Sequence, residues 1–432
     1  MHAIAHQTLR KVAWRLIPFL GVLYFFAFLD RVNLGFAALT MNADLGLSAA
    51  VFGVGAGIFF IGYIVFEVPS NIMLERFGAR IWIARIMVSW GLCSAAMALV
   101  QGPISFYVVR FLLGVAEAGF FPGVIYYLTC WFPHRHRGQI IALFMIALPL
   151  SSILGAPIST ALLGIEMQGL RGWQWMFLLE ALPTIVLGFV VLLVLPDRPS
   201  QAPWLDAEQK RWLESELARE RDSIDQRPAS SLREALTRPR AWRHGAVYLC
   251  ILVGLYGFAF WLPQIIASLA ARSNVQVGFL TMVPYTLACV ALVGWGRHSD
   301  ATGERAWHVA IPCLLAAGAL VVCGYAHDPN IAFAALCAAA VGIYSGLPCF
   351  WAMVSRGLQG SAAAAVIALV NSLGSFGGFL GPAAIGFAHE STGSYATSFL
   401  FIAACLVFGA VFALFGRGSE KSLAASGVQK SV

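Results

Sequence analysis

Charged side chains are scarce in this sequence: Asp, Glu, Lys and Arg together make up 11% of the 432 residues. A soluble domain carries about 25% charged residues, so this composition excludes an ordinary water-soluble protein. Apolar residues account for 59% and occur in uninterrupted runs rather than in alternation. Such runs, about 20 residues long, predict membrane-spanning helices and exclude the alternating strands of a membrane barrel.

Other motifs are also missing. The nine Cys residues are scattered singly without a CxxC pair, which leaves zinc and redox motifs unsupported. The glycine-rich runs 53–63 and 374–381 lack a following Lys-Ser/Thr, so close helix packing explains them better than phosphate binding. The net charge of +7 lies mainly in loops. The chain is therefore expected to be neither an enzyme nor a nucleic-acid binder, and no metal or cofactor is expected.

The apolar runs are long enough to cross about 30 Å of hydrocarbon. The first begins at Trp14 and follows a polar N-terminus too short for a cleaved signal, so it is predicted to be retained as a helix. The twelve predicted spans are 14–39, 51–73, 82–101, 104–130, 139–164, 174–195, 242–268, 276–296, 307–325, 331–352, 361–388 and 396–416.

The basic residues predict the orientation of the chain. Of the 28 Lys and Arg residues, all but four fall on the side that holds both termini, two lie within spans and two lie opposite. This asymmetry places both termini in the cytoplasm of a cell whose inner (plasma) membrane holds the chain. The longest polar stretch predicts a linker with a short amphipathic helix capped by Asp206. The predicted division is 1–195, a six-helix bundle; 196–241, the cytoplasmic linker; and 242–432, a second six-helix bundle with a short tail.

An internal repeat supports two similar halves. Residues 71–80 read NIMLERFGAR and residues 296–305 read GRHSDATGER, each after the second span of its half. Parallel six-helix repeats predict a substrate site between halves and alternating access. The aligned or neighbouring residues expected to act in gating are Glu75, Arg76, Gly78, Arg80, Asp300, Gly303 and Arg305.

Charged residues at membrane depth are the main functional signal, since each costs about 2.5–3.5 kcal/mol on insertion scales. Asp30 and Arg31 lie in span 1, and Arg110 and Glu117 lie two turns apart in span 4. A guanidinium binds a carboxylate with two parallel hydrogen bonds, which makes Arg31 and Arg110 candidate substrate-binding residues. A carboxyl group in a low-dielectric cavity can load and release protons near neutral pH, so Asp30 is a candidate proton carrier. Static pairs, either Asp30–Arg110 or Arg31–Glu117, are the structural alternative.

The remaining candidates are mostly neutral. The spans of the second half hold no Asp, Glu, Lys or Arg at depth, so that half must offer neutral groups to a substrate. The amides of Asn371 and Gln264 can donate and accept hydrogen bonds, and Tyr63 is a further candidate for the substrate cavity. Glu180, early in span 6, is expected to act in conformational change rather than in substrate contact.

These features resemble the major facilitator superfamily, whose loop signature is matched with Asn71 in place of a leading Gly and Glu75 in place of Asp. Within it, four long strings are similar to the anion:cation symporter family: FLDRVNLGFA (28–37), GYIVFEVPSNIMLERFGARIWIARI (62–86), RFLLGVAEAGFFPGVIYYLTCWFP (110–133) and GWQWMFLLEALP (172–183).

This resemblance implies an all-α membrane protein with two pseudo-symmetric six-helix bundles. It also implies proton-coupled uptake of a small organic carboxylate such as a sugar acid, tartrate or an aromatic acid, powered by the proton gradient, by a monomer in the lipid bilayer. By the same resemblance, Asp30 and Glu117 couple protons and Asn371 contacts substrate. The alternatives are a drug or cation antiporter of the same fold and a transporter-like sensor. Arg31 and Arg110 within the spans argue against the antiporter, since a cation site should be rich in acids and poor in arginine. The presence of both Asp30 and Glu117 argues against the sensor.

Overall fold

The computed structural model describes residues 2–225, 239–269, 273–355 and 360–415. Residues 226–238 of the predicted linker and the tail from 416 onward lie outside the described residues. The described residues form fifteen α-helices: α1 His2–Asp44, α2 Ala49–Phe77, α3 Ala79–Ala96, α4 Pro103–Glu117, α5 Phe120–Thr129, α6 His134–Met145, α7 Ala147–Leu162, α8 Gly172–Val194, α9 Ala207–Asp225, α10 Pro239–Leu269, α11 Asn274–Thr302, α12 Ala306–Tyr325, α13 Pro329–Ser355, α14 Gly360–Thr392 and α15 Ala396–Phe415.

Twelve segments within the described residues are long and apolar enough to cross a membrane. This confirms the predicted fold class, a twelve-helix membrane protein. The helices extend beyond the apolar runs: the first candidate span covers Ile4–Asp44, whereas hydrophobicity alone predicted 14–39. The difference arises because an apolar run marks the part of a helix that lies in lipid, and polar helical turns continue on either side of it.

One compact unit contains the residues up to Gly46 and those from Ile58 through α9. Its core includes Trp90, Trp131 and Phe106, all fully or almost fully buried. The helices α2 and α4 cross closely because glycines face backbone there. A Cβ added at Gly114 would overlap the Phe59 carbonyl, so the crossing tolerates no side chain.

Helix α9 belongs to this first unit. Its first turn is capped by Asp206, whose Oδ1 accepts a hydrogen bond from the Gln209 backbone N–H at 2.8 Å. Leu213 is fully buried, which identifies the apolar side of the helix. Near its other end, Arg137 Nη2 lies 3.0 Å from Glu220 Oε2. These contacts attach the polar linker to the bundle that precedes it.

The second compact unit contains Leu47–Gly57 together with α10 to α15. The opening turns of α2 belong to it because they pack against α14 through glycine. Gly53 faces the Pro382 carbonyl without room for a Cβ, and Gly386 faces the Ala49 carbonyl in the same way. Glu390 Oε2 also accepts a hydrogen bond from the Ala50 backbone N–H at 2.7 Å, which caps the start of α2.

Candidate functional site

The polar stretch of α1 presents its side chains in two directions. Asp30 and Asn33 are one turn apart and both buried, whereas Arg31 follows Asp30 by about 100° around the helix. Asp30 Oδ2 accepts hydrogen bonds from Trp90 Nε1 and Thr184 Oγ1, each at 2.8 Å. Asp30 therefore faces α3 and α8, and its partners are neutral.

Arg31 faces a different side of the helix, toward α2 and α4. Its Nη2 donates to Glu117 Oε1 in a direct ion pair. Its guanidinium carbon also lies 5.2 Å from the ring centre of Phe59 and 5.5 Å from that of Tyr63, both within cation–π range. The Arg31 side chain is 12% exposed, compared with 1% for Glu117, so the arginine is the more accessible partner of the pair.

Arg110 brings a second positive charge to the same place. It is 1% exposed, and its guanidinium carbon lies 5.1 Å from the Phe59 ring centre. Arg110 interacts electrostatically with both Arg31 and Glu117. Two guanidinium groups thus share one aromatic ring and one carboxylate. If all three groups are ionised, this arginine pair with Glu117 carries one net positive charge and suits an anion.

The fourth span is interrupted beside Glu117. Helix α4 ends at Glu117 and α5 begins at Phe120, with Gly119 between them in the left-handed conformation at a φ of 86°. Glycine adopts this conformation without the penalty that a Cβ imposes, and a Cβ at this position would overlap the Ser70 side chain. Glu117 therefore occupies the last position of a helix, where the helix dipole disfavours a carboxylate. The positive charge of Arg31 offsets this unfavourable interaction.

A second buried carboxyl group lies on the other side of α1. Glu180 Oε2 accepts a hydrogen bond from Asn33 Nδ2 at 2.9 Å, and its Oε1 accepts one from Ser159 Oγ at 2.6 Å. Glu180 is 3% exposed. Buried carboxyl groups thus contact α1 in two directions: Glu117 pairs with Arg31, whereas Glu180 accepts from the neutral donors Asn33 and Ser159.

The structure places five of the predicted substrate-binding and proton-coupling residues in the first unit. Arg31, Tyr63, Arg110 and Glu117 cluster near Phe59, whereas Asp30 faces α3 and α8. The other two, Gln264 on α10 and Asn371 on α14, are half-buried in the second unit.

Sequence reasoning missed Phe59, Trp90 and Thr184, which contact the charged groups. An aromatic or Thr residue within an apolar span has the same pattern as ordinary packing, so the sequence carries no distinct signal for these three.

The two copies of the repeated motif share a backbone feature but differ in their polar contacts. Gly78 and Gly303 both have positive φ, 88° and 66°. In the first copy, the Arg80 backbone N–H donates to Asp197 Oδ1 at 2.8 Å. In the second, Arg305 Nη2 lies 2.7 Å from Asp300 Oδ1, and both residues are close to the end of α11. Glu75 and Arg76 are exposed, and the Arg76 guanidinium lies over the Phe77 ring.

Comparison with known proteins gives a consistent result. The family model of the Major Facilitator Superfamily matches residues 20–382. A protein named "Putative tartrate transporter" from Agrobacterium vitis is 50% identical over 96% of this chain and 93% of its own length. The "Quinolone resistance transporter" of Acinetobacter baumannii is 42% identical over 94% of each chain.

The solved structures add the fold. A bacterial homologue of the human lysosomal transporter Spinster, in an inward-facing and occupied conformation, matches with a TM-score of 0.75 over 93% of this chain and 96% of that chain. Its sequence identity is 17%, so the likeness concerns the fold alone. Together with the family match and the twelve candidate spans, these results identify the chain as a multi-pass membrane transporter of the major facilitator superfamily.

Proposed function

We propose that this chain is a proton-coupled symporter that takes up a small organic carboxylate across the inner membrane, with both termini in the cytoplasm. The observation that carries the proposal is the placement of Arg31 and Arg110 against the Phe59 ring, beside the Glu117 carboxylate that pairs with Arg31. A carboxylate substrate can form charge-assisted hydrogen bonds with guanidinium groups of this kind. The relative named "Putative tartrate transporter" supports a substrate of this class.

Competition for Arg31 provides the coupling step. A substrate carboxylate that binds Arg31 takes the hydrogen bond that Glu117 holds in its absence. Glu117 is then a buried carboxylate with a weakened counter-ion, which is costly in a low-dielectric site unless it takes up a proton. Anion binding and proton binding therefore favour each other, as symport requires.

Asp30 supplies a second proton-coupling group on the other side of α1. Its contacts are with the neutral donors Trp90 and Thr184, so its ionised form has no cation to offset it in these contacts. In the proposed cycle, protonation of Asp30 and Glu117 removes buried charge before the two units exchange the side that is open. The second unit contributes Asn371 and Gln264 to the substrate, and Tyr63 of the first unit borders Arg31.

The remaining parts of the proposal follow the sequence. The two motif copies, at Glu75–Arg80 and Asp300–Arg305, act in gating. The proton gradient is the energy source without a cofactor, and the working unit is a monomer in the lipid bilayer.

Transport by reconstituted protein tests the proposal. Proteoliposomes with an imposed proton gradient should accumulate a labelled carboxylate, and a thermal-shift screen of carboxylates at two pH values selects the substrate to use. Asp30→Asn and Glu117→Gln should each abolish accumulation yet retain exchange of labelled for unlabelled substrate. Glu214→Gln, an exposed change on α9, is the matched control and should accumulate normally. Accumulation against a gradient by either site variant would contradict the assigned coupling roles.

A drug or cation antiporter of the same fold is the second candidate, favoured by the relative named "Quinolone resistance transporter". The two functions differ in what Arg31 does. In the symporter, Arg31→Gln should abolish the thermal shift caused by a carboxylate. For a cation antiporter, cationic compounds should instead cause thermal shifts, and these shifts should persist in Arg31→Gln. Protons should also move across the membrane in the direction opposite to the compound.

A further inference from the structure

We propose that Glu180 is a second proton-binding carboxyl group coupled to Asp30, and that the two share a single proton in the substrate-free protein. This inference deepens the proposed function and rests on it for its role in transport. Nothing in the coupling scheme above uses Glu180, although it is as deeply buried as the groups that do the coupling.

The geometry of the α1–α8 contact pairs the two acids. Asp30 and Asn33 are one turn apart on α1, and Glu180 and Thr184 are one turn apart on α8. Thr184 donates to Asp30, and Asn33 donates to Glu180. Each helix thus presents one carboxyl group and one neutral donor to the other, in crossed order. The two carboxyl groups interact electrostatically across this contact.

The donors around these acids are all neutral. Trp90 and Thr184 donate to Asp30, and Asn33 and Ser159 donate to Glu180. Among the described residues, neither acid forms an ion pair with Lys, Arg or His within 4 Å. Two like charges in that setting repel each other and lose their hydration, so retention of one proton by the pair is the low-energy arrangement.

The helices packed against α8 offer Glu180 no nearby cation. On α1, Arg31 points toward Glu117 instead. On α3, the titratable residues are Arg80, which is exposed in the first turn; Arg85, which stacks on Trp82; and Cys93. The third neighbour, α7, contains no titratable side chain over Ala147–Leu162.

A charge count gives the same result. With both groups ionised, Asp30 and Glu180 place two negative charges among neutral donors. One bound proton reduces the charge of the pair to one. Asp30 Oδ1 has no hydrogen-bond partner within the part of the chain that the structure describes, which leaves an oxygen of the pair open to that proton.

Infrared spectroscopy of the purified, substrate-free protein tests this directly. Near neutral pH, the wild-type protein should show the carbonyl stretching band of a protonated carboxylic acid, with the shift in heavy water that identifies it. Both Glu180→Gln and Asp30→Asn should lose that band, because either change removes the excess negative charge and with it the need for the proton. Glu214→Gln, which changes an exposed side chain of α9, should leave the band unchanged.

The outcomes separate the proposals. Absence of the band in the wild-type protein, or an undiminished band in Glu180→Gln, overturns the shared proton. If Glu180→Gln does not fold, Ser159→Ala replaces it: removal of the donor to Oε1 should shift the band, and an unmoved band overturns the inference. Accumulation of substrate by Asp30→Asn proteoliposomes would refute the proposed coupling role, whereas the spectra decide on the shared proton independently.

Discussion

Replacement of Arg31 by Gln should destabilise the protein in a strongly pH-dependent way. The substitution removes the direct ion-pair partner of Glu117, which is 1% exposed. Removal of one partner from a buried ion pair lowers the unfolding free energy by about 3–5 kcal/mol when the remaining group stays charged. Glu117 can instead take up a proton and become neutral.

Protonation sets a ceiling on the cost. A glutamic acid has a pKa of about 4.3 in model peptides, and each pH unit above that value costs about 1.4 kcal/mol to keep it protonated. The ceiling is therefore about 3.7 kcal/mol at about pH 7 and about 1 kcal/mol at about pH 5. The loss of cation–π contacts with Phe59 and Tyr63 adds about 0.5–2 kcal/mol at either pH. The expected loss of unfolding free energy is thus several kcal/mol near neutrality and falls by about 2.7 kcal/mol in acid, if Glu117 reaches the ceiling.

The assay is unfolding by a denaturing detergent in mixed micelles, followed by the fluorescence of the 13 Trp residues. The double variant Arg31→Gln/Glu117→Gln is the matched control, since it removes both charges and keeps two polar side chains. It should recover much of the stability that Arg31→Gln loses near neutral pH. An equal loss at both pH values, or a double variant no more stable than the single one, would refute the ion-pair reasoning.

Three further substitutions test local features by the same unfolding assay. Gly119→Ala should lower the unfolding free energy by at least about 1–2 kcal/mol because alanine is strained at a φ of 86°. Adding Ser70→Gly should relieve the overlap with the Ser70 side chain but not the backbone strain. A Gly119→Ala variant as stable as the wild-type protein would contradict this. Asp197→Ala should cost about 0.5–2 kcal/mol by removing the acceptor of the Arg80 backbone N–H, and Asp197→Asn, which keeps an acceptor, should cost less. Leu213→Ala should cost about 2–5 kcal/mol because this side chain is fully buried under α9; a neutral result would mean that α9 is detached in solution.

The twelve spans could be predicted from the sequence because lipid imposes a simple requirement. Every backbone group must be paired within a helix, and the helix must be apolar over about 20 residues. The same requirement makes Asp30, Arg31, Arg110 and Glu117 conspicuous, since a charge at membrane depth is costly. Composition and run length therefore predicted both the fold class and the main charged residues of the first unit.

The pairing of those charges could not be predicted. Sequence spacing left Asp30–Arg110 and Arg31–Glu117 equally open, because the choice depends on how α1 and α4 are rotated about their axes. The structure pairs Arg31 with Glu117, whereas Asp30 bonds to Trp90 and Thr184.

The interruption of the fourth span also could not be predicted from the sequence. Glycine and proline within a membrane helix are often tolerated without a break, so the sequence around Gly119 did not separate a continuous helix from two shorter ones. The break depends on the positive φ of Gly119 and on its fit against Ser70, which only three-dimensional packing specifies.

The adjacency of Asp30 and Arg31 on α1 has a mechanical consequence. Consecutive residues of a continuous helix move as one rigid piece, so any turn of α1 about its axis carries both side chains through the same angle. A turn that draws Arg31 away from Glu117 necessarily pulls Asp30 from the indole of Trp90 or presses it closer. Rotation of α1 therefore moves the Asp30 carboxyl group and the Arg31 guanidinium together, and neither can be repositioned by helix rotation alone.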